Sequence, residues 1–354
     1  MINMKNMYFF GSDIRCLFFF GSFFDGNNLQ MKNSLFSGFL ARAIYLNSGP
    51  YVDLVQNSRL NSISGDNGEI LFRNCRFQNI HSSESGSAFY ANLVASIEID
   101  DCSFYSLYTS QKYAAFYISS SITSAIINRI CLSKCKAQSE VHAFMLEPAE
   151  SYIDRGFVFM CSTECIGSFG SMCFRKPKLI TNINSSSNSV LNHGAAFYIY
   201  EARYSEIRFI SIQHCVGKAI ERFNDAYHLN LEYHNLYNIT CLNEDSGWNG
   251  ALQIGTTCVN VSYRYCSFVS MKGKFTYSFL ATFYNCSFDN MSPFTGCSTI
   301  NGNKFASSGI TTFFSMVYSD CSCNQPFYEY KSTKMLSINQ NRFILSGIIV
   351  FLAK

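Results

Sequence analysis

From Ile70 to Ile80 the chain reads Ile-Leu-Phe-Arg-Asn-Cys-Arg-Phe-Gln-Asn-Ile, with apolar side chains at Ile70, Phe72, Cys75, Phe77 and Ile80. The pattern is apolar-x-apolar-x-x-Cys-x-Phe-x-(Asn/Ser)-apolar. It returns at Ile97, Ile99, Cys102, Phe104, Ser106 and Leu107, and again at Val261, Tyr263, Cys266, Phe268, Ser270 and Met271. A fourth copy is Ala281, Phe283, Cys286, Phe288, Asn290 and Met291. Shorter versions lead into Cys135 through Ile130 and Leu132, into Cys215 through Ile210 and Ile212, and into Cys321 through Met316 and Tyr318. Residues two apart share one side of a strand. The two-residue step before each Cys reverses that parity, so the backbone must bend there if Cys and Phe are to stay inside. Each copy therefore predicts strand, corner, strand. One unit cannot bury its own apolar side, whereas stacked units can, which is the logic of a solenoid.

The recurring cysteines run from Cys75 to Cys321 in nine steps over 246 residues, about 27 residues per coil. A second block recurs at a similar interval: Gly86-Ser-Ala-Phe-Tyr90, Tyr113-Ala-Ala-Phe-Tyr117 and Gly194-Ala-Ala-Phe-Tyr198. These observations predict an all-β, single-stranded parallel β-helix of about ten coils over residues 35–330. Residues 1–34 are Phe-rich and read as an N-terminal cap, an imperfect first coil or a weak signal segment. Residues 331–354 end in the apolar run Phe343–Ala353, shorter than the roughly 20 residues of a membrane span. That tail is expected to cap the stack or to be a truncated membrane anchor. Residues 142–190 keep the period least well and suggest longer loops. The charged stretch from Glu221 to Asn235 suggests a lateral loop.

Composition fits this picture. Of 354 residues 48% are hydrophobic and 14% charged, with 34 Phe, 22 Tyr and only 5 Pro. Aromatic residues favour strands, and scarce proline suits uninterrupted ladders. No sustained helical stripe appears. A net charge of +3 without Lys/Arg clusters argues against nucleic acid as a partner.

Sixteen cysteines invite three readings. Cys75, Cys102, Cys135, Cys215, Cys266, Cys286 and Cys321 sit in the repeat beside Ile and Phe, so the first reading is a structural ladder of buried free thiols. Disulfides between coils are a second, because stacked Cα atoms lie within disulfide reach. Zinc at Cys131-x-x-x-Cys135 or Cys161-x-x-x-Cys165 is a third, without a recurring His partner. Five sequons, at Asn184, Asn238, Asn260, Asn285 and Asn290, are candidate glycosylation sites in a secreted protein.

Motifs for hydrolases, metalloproteases, phosphate loops and EF-hands are missing. Glu98, Asp100 and Asp101 are the best acidic cluster. Asp100-Asp101 aligns with Arg73-Asn74, Arg264-Tyr265 and Tyr284-Asn285, which marks an exposed corner rather than a catalytic pair. The six histidines suggest no constellation. No catalytic residue, cofactor or metal is expected.

The pairing of Gly-x-Ala-(Phe/Ile) blocks with Cys-x-Phe-x-(Asn/Ser) blocks over residues 35–325 resembles the polymorphic outer-membrane-protein repeat. It is also similar to repeat surface proteins of parasitic protists. Here the second Gly of the family's Gly-Gly-Ala-Ile motif is absent, and Asn79 and Asn290 fall two residues after Phe rather than three. The resemblance implies a right-handed parallel β-helix at a cell surface or secreted, with adhesive or antigenic roles. The expected function is non-enzymatic recognition of a surface protein or glycan through lateral loops, around 142–190 and 221–250. A polysaccharide-active lyase or hydrolase and a plain structural spacer are the alternatives.

Overall fold

What holds the apolar pattern inward is a single left-handed backbone residue at each corner. In the strand Ser96–Thr109 the inward side chains are Ile97, Ile99, Cys102, Phe104 and Leu107, all at most 1% exposed. The two breaks in alternation are Asp101 (φ 56°) and Ser106 (φ 52°). One residue in this conformation turns the chain and resets the parity, so the next side chain faces the core again. The same pair of corners recurs as Asn74 and Asn79, Arg129 and Lys134, Arg155 and Met160, and Asn182 and Ser187. Asn tolerates this region better than most residues. Its side chains also form an external chain, Asn74 Nδ2 donating to Asn33 (3.0 Å) and Asn33 Nδ2 to Asn6 (3.1 Å). Where the corner is aromatic, stacking supports it: Phe209, Tyr233 and Tyr265 lie ring on ring at 5.1 and 5.3 Å.

The computed structural model describes residues 2–10, 17–19, 28–40, 42–47, 68–92, 95–161, 168–190, 194–242, 250–273, 275–277, 281–288, 299–301 and 304–305. These contain strands and turns without helix. Two parallel sheets of 21 and 10 strands enclose one continuous core. Each coil thus has four sides. A first face such as Glu69–Arg73 leads through a corner into the second and third, which Arg76–Ser82 forms. The fourth, Phe89–Asn92, belongs to the smaller sheet. The first face stacks twelve strands in succession, from Ile2–Lys5 to Thr299–Asn301, among the described residues. The all-β parallel solenoid expected from the repeat is the observed fold. Its step is 27 residues from Ile70 to Ile97, 28 from Ile97 to Ala125 and 27 from Ile180 to Ile207. It shrinks to 17 from Phe283 to Ile300 and grows to 41 from Leu29 to Ile70, the difference falling outside the paired faces.

The Phe-rich N-terminal segment contributes rungs: Ile2–Lys5 pairs with Leu29–Lys32, and Phe9 stacks on Phe36 at 4.8 Å. Two other expectations change. The described residues of 142–190 are mainly strand, Glu140–Leu146, Glu150–Phe159, Ser168–Arg175 and Pro177–Ser186, with register shifts at Val141 and between Ser151 and Tyr152. Pro177 is tolerated because it opens its strand. The expected lateral loop from Glu221 to Asn235 is mainly strand, Glu221–Asn224 and Tyr227–Cys241. Cys321, Asn290 and the C-terminal tail lie outside the described residues.

The cysteine ladder is two ladders. Cys102 pairs with Ile130, not with Cys135. Cys75, Cys102, Cys266 and Cys286 follow the first corner, whereas Cys135, Cys161 and Cys215 follow the second. Apolar-x-apolar-x-x precedes both corners, which is why sequence copies of either looked alike. All seven are buried thiols. Cys131, off both ladders, is disulfide-bonded. Burial pushes the Cys215 and Cys241 thiols up to about 12. A folded-state pKa raised above its unfolded value means the unfolded chain loses its proton first. Stability from these thiols is therefore complete below about pH 9 and lost progressively toward pH 12. We expect the denaturation midpoint to fall over that window, and replacing Cys215 with Ala to flatten the fall. An unchanged slope in the variant would refute the assignment.

The fourth face opens with a residue at positive φ, Gly86 (71°), Tyr113 (60°) or Gly194 (67°), followed by two small residues. A Cβ on Gly86 would stand 2.6 Å from the Phe89 carbonyl oxygen. Gly86→Ala is expected to destabilise by more than about 1 kcal/mol, strain and clash outweighing the chain-entropy gain. A variant as stable as wild type in denaturant unfolding would contradict the geometry.

Candidate functional site

Alternation in the small-small-Phe-Tyr blocks sends Phe inward and the following Tyr outward. Phe89, Phe116 and Phe144 stack inside at 4.9 and 4.8 Å. On the outside the same register lines up Tyr90, Tyr117, Met145, Cys173, Tyr198 and Arg222, with Gln253 next. A neighbouring column holds Arg175, Tyr200 and Asn224. The rings form a half-buried platform: Tyr117 lies 4.8 Å from both Tyr90 and Tyr113, and Tyr198 lies 5.4 Å from Tyr200.

Arginines cover the platform. The Arg42 guanidinium is 4.8 Å from the Tyr90 ring and Arg222 is 5.1 Å from Tyr198. Arg175 is 6.0 Å from Tyr200 and ion-paired with Glu201 at 2.8 Å. Tyr117 and Tyr200 both donate their hydroxyls to the Glu147 carboxylate, which ties three rungs together. Burial, followed by this hydrogen bond, pushes both phenols well above their ordinary range. They are therefore fixed donors. Glu147 is occupied by them and does not present a free general base. Cys173 lies beneath the platform at 1% exposure, which shields it from reagents. The arrangement is a set of half-buried aromatic rings flanked by guanidinium groups.

The expected corner cluster is an ion-pair ladder. Asp100 meets Arg73 at 3.1 Å and Arg129 at 3.0 Å, and Arg73 also meets Glu98 at 3.3 Å. Among the described residues no group of three His, Cys, Asp or Glu is arranged to hold a metal. Asn260 and Asn285 stand exposed at corners, Asn238 is half-buried against His214, and Asn184 is 8% exposed. The sequon residues are thus placed very differently with respect to solvent.

One constellation went unseen in the sequence. Glu221 occupies the inward column between Phe197 and Leu252, and Tyr263 the one between Leu231 and Phe283. His234 takes the first-corner position between Ile210 and Cys266. Glu221 Oε1 lies 3.1 Å from His234 Nδ1, Tyr263 donates to Glu221 Oε2 at 3.1 Å, and His234 Nε2 lies 3.3 Å from the Ile207 carbonyl. All three side chains are fully buried. Burial, with Glu221 second, pushes the Tyr263 phenol well above its usual value. The signal was legible: Leu229, Leu231, His234, Leu236 and Ile239 fit the repeat with His at the Cys position. Sealed from solvent, the cluster acts on the fold and not on a substrate.

Fold and surface define an all-β parallel solenoid with a tyrosine–arginine lateral face. No family model matches the chain, and neither a curated protein nor a solved structure matches it.

Proposed function

We propose that the protein is a non-enzymatic recognition module, at a cell surface or secreted, that binds a protein or glycan through its tyrosine–arginine face. The observation that carries this is the outward column of Tyr90, Tyr117, Tyr198 and Arg222. Tyr and Arg are the residues most enriched where binding energy concentrates, and half-buried rings lose little entropy on contact. The reading moves recognition from loops to a sheet face, although Glu147, Arg175 and Arg222 fall within the stretches first expected to bind. The Cys131 disulfide and the exposed sequons Asn260 and Asn285 fit an oxidising, extracellular setting.

The test uses purified full-length protein on a panel of glycans and extracellular matrix proteins. Replacing Tyr90 and Tyr198 with Ala is expected to weaken whatever binding the panel shows by about tenfold or more, the usual weight of a two-residue hot spot, with the unfolding midpoint retained. Undiminished binding, no binding at all, or turnover of a panel polysaccharide would each refute the reading. The last outcome would favour the lyase or hydrolase alternative, the second the spacer.

A further inference from the structure

Two of the exposed sequons stand on columns of aromatic rings. Asn260 and Asn285 each occupy a left-handed corner, at φ 56° and 51°, and both are open to solvent. One coil below Asn260 lies His228, whose Nδ1 accepts from Asn260 Nδ2 at 3.2 Å. The His228 ring is stacked on Tyr204 at 5.1 Å and within 2° of parallel, and Tyr204 is 70% exposed. One coil below Asn285 lies Tyr265, whose backbone N–H donates to the Tyr284 carbonyl at 3.0 Å. Tyr265 is 43% exposed and stacked on Tyr233 at 5.3 Å, and Tyr233 in turn on Phe209 at 5.1 Å.

In both columns the ring beneath covers one face of the top ring. The other face looks toward the coil that carries the asparagine, one strand spacing of about 4.8 Å away. These rings sit at outer corners, where they add nothing to the core and expose apolar area to water. A group attached to the asparagine above is placed to cover that area. A pyranose ring suits it, because its C–H side is apolar and lies flat on an aromatic face while its hydroxyls stay in water. Asn184 has a different setting. It is 8% exposed, between Phe157 and Ser211 on a strand face, where an attached sugar would have no room.

We propose that Asn260 and Asn285 carry N-linked glycans whose first N-acetylhexosamine lies on the His228 and Tyr265 rings, and that Asn184 carries none. This rests on the extracellular setting of the recognition reading above. In the transfer the asparagine amide nitrogen attacks C1 of a sugar held on a polyprenyl diphosphate. The N–C1 bond forms and the C1–O bond breaks. The diphosphate leaves with the electron pair, and the amide loses one proton to the transferase. The second amide proton remains, so Asn260 keeps a donor for His228.

The test is to secrete the full chain from a glycosylating host cell behind a cleavable leader and to map each asparagine by tandem mass spectrometry. Enzymatic deglycosylation, which converts a modified Asn to Asp, is expected to convert Asn260 and Asn285 and to leave Asn184 unchanged. The unfolding midpoint then reports the ring contact. Trimming to the single first sugar should leave the midpoint in place, and complete removal should lower it by about 2 °C. In the double variant His228→Ser and Tyr265→Ser that shift should vanish with occupancy unchanged. Serine already stands at left-handed corners in Ser106 and Ser187, so the backbone accepts it. The variant also controls for the charge that removal leaves at each asparagine. Bare Asn260 or Asn285, a modified Asn184, a midpoint indifferent to removal, or a shift that survives loss of the rings would overturn the proposal. If the asparagines are bare but panel recognition still depends on Tyr90 and Tyr198, the recognition reading stands and only the glycan inference falls.

Discussion

Truncating Phe104 to alanine is expected to cost about 3–5 kcal/mol, the transfer term of a buried phenyl plus the cavity it leaves. Phe104 is fully buried, stacked on Phe77 at 5.2 Å, and within 5.1 Å of Phe116 on the opposite sheet. Its column continues as Phe36 below Phe77 and Leu132 above. No neighbour can move into the space, because every rung is fixed at the strand spacing by its ladder of hydrogen bonds. The same argument applies to Phe288, which stacks on Phe268 at 5.0 Å. In denaturant titrations a loss below about 1 kcal/mol for Phe104→Ala would place the ring outside the core. Because each coil touches only its neighbours, the defect should also lower cooperativity around rung Ser96–Thr109, visible as local loss of hydrogen-exchange protection.

Breaking the buried Glu221–His234–Tyr263 cluster should be comparably severe, and rebuilding it in apolar form should not. His234→Ala alone leaves the Glu221 carboxylate with one donor in a dry core, and removal of one member of such a pair costs about 3–5 kcal/mol. The triple replacement Glu221→Leu, His234→Cys and Tyr263→Phe restores residues that the same columns carry in Leu252, Cys266 and Phe283. Replacing buried ionic groups by apolar ones of similar volume is commonly neutral or stabilising by about 1–4 kcal/mol. We therefore expect the triple variant to be at least as stable as wild type and the single variant far less stable. A triple variant as damaged as His234→Ala would mean the cluster is irreplaceable for the fold. If the triple variant is stable but recognises its partner poorly, the cluster serves to fix the register of the Arg222 strand, since Glu221 is its inward neighbour.

The sequence by itself determined the solenoid. Inward residues are repeated because each must meet its counterpart one coil away, and that demand writes a period near 27 into the chain. It also located the corners, since the parity break before Cys75, Cys102, Cys266 and Cys286 can only be accommodated by a bend. It does not show that two corners per coil share one local pattern: Cys135 and Cys215 carry the spacing of the first ladder, and only strand register puts them on the second. Register is a long-range property: it depends on which residue lies across the hydrogen-bond ladder, not on local spacing. For the same reason the charged stretch after Glu221 read as a loop. Tertiary structure splits it, turning Glu221 and His234 inward to each other and Arg222 outward to Tyr198. The outward tyrosines were visible as residues but not as a surface, because a platform exists only once Tyr90, Tyr117 and Tyr198, far apart in the chain, are stacked on one face. Periodicity reports what must be buried; what the remaining side chains form together is decided by the coils that stacking brings side by side.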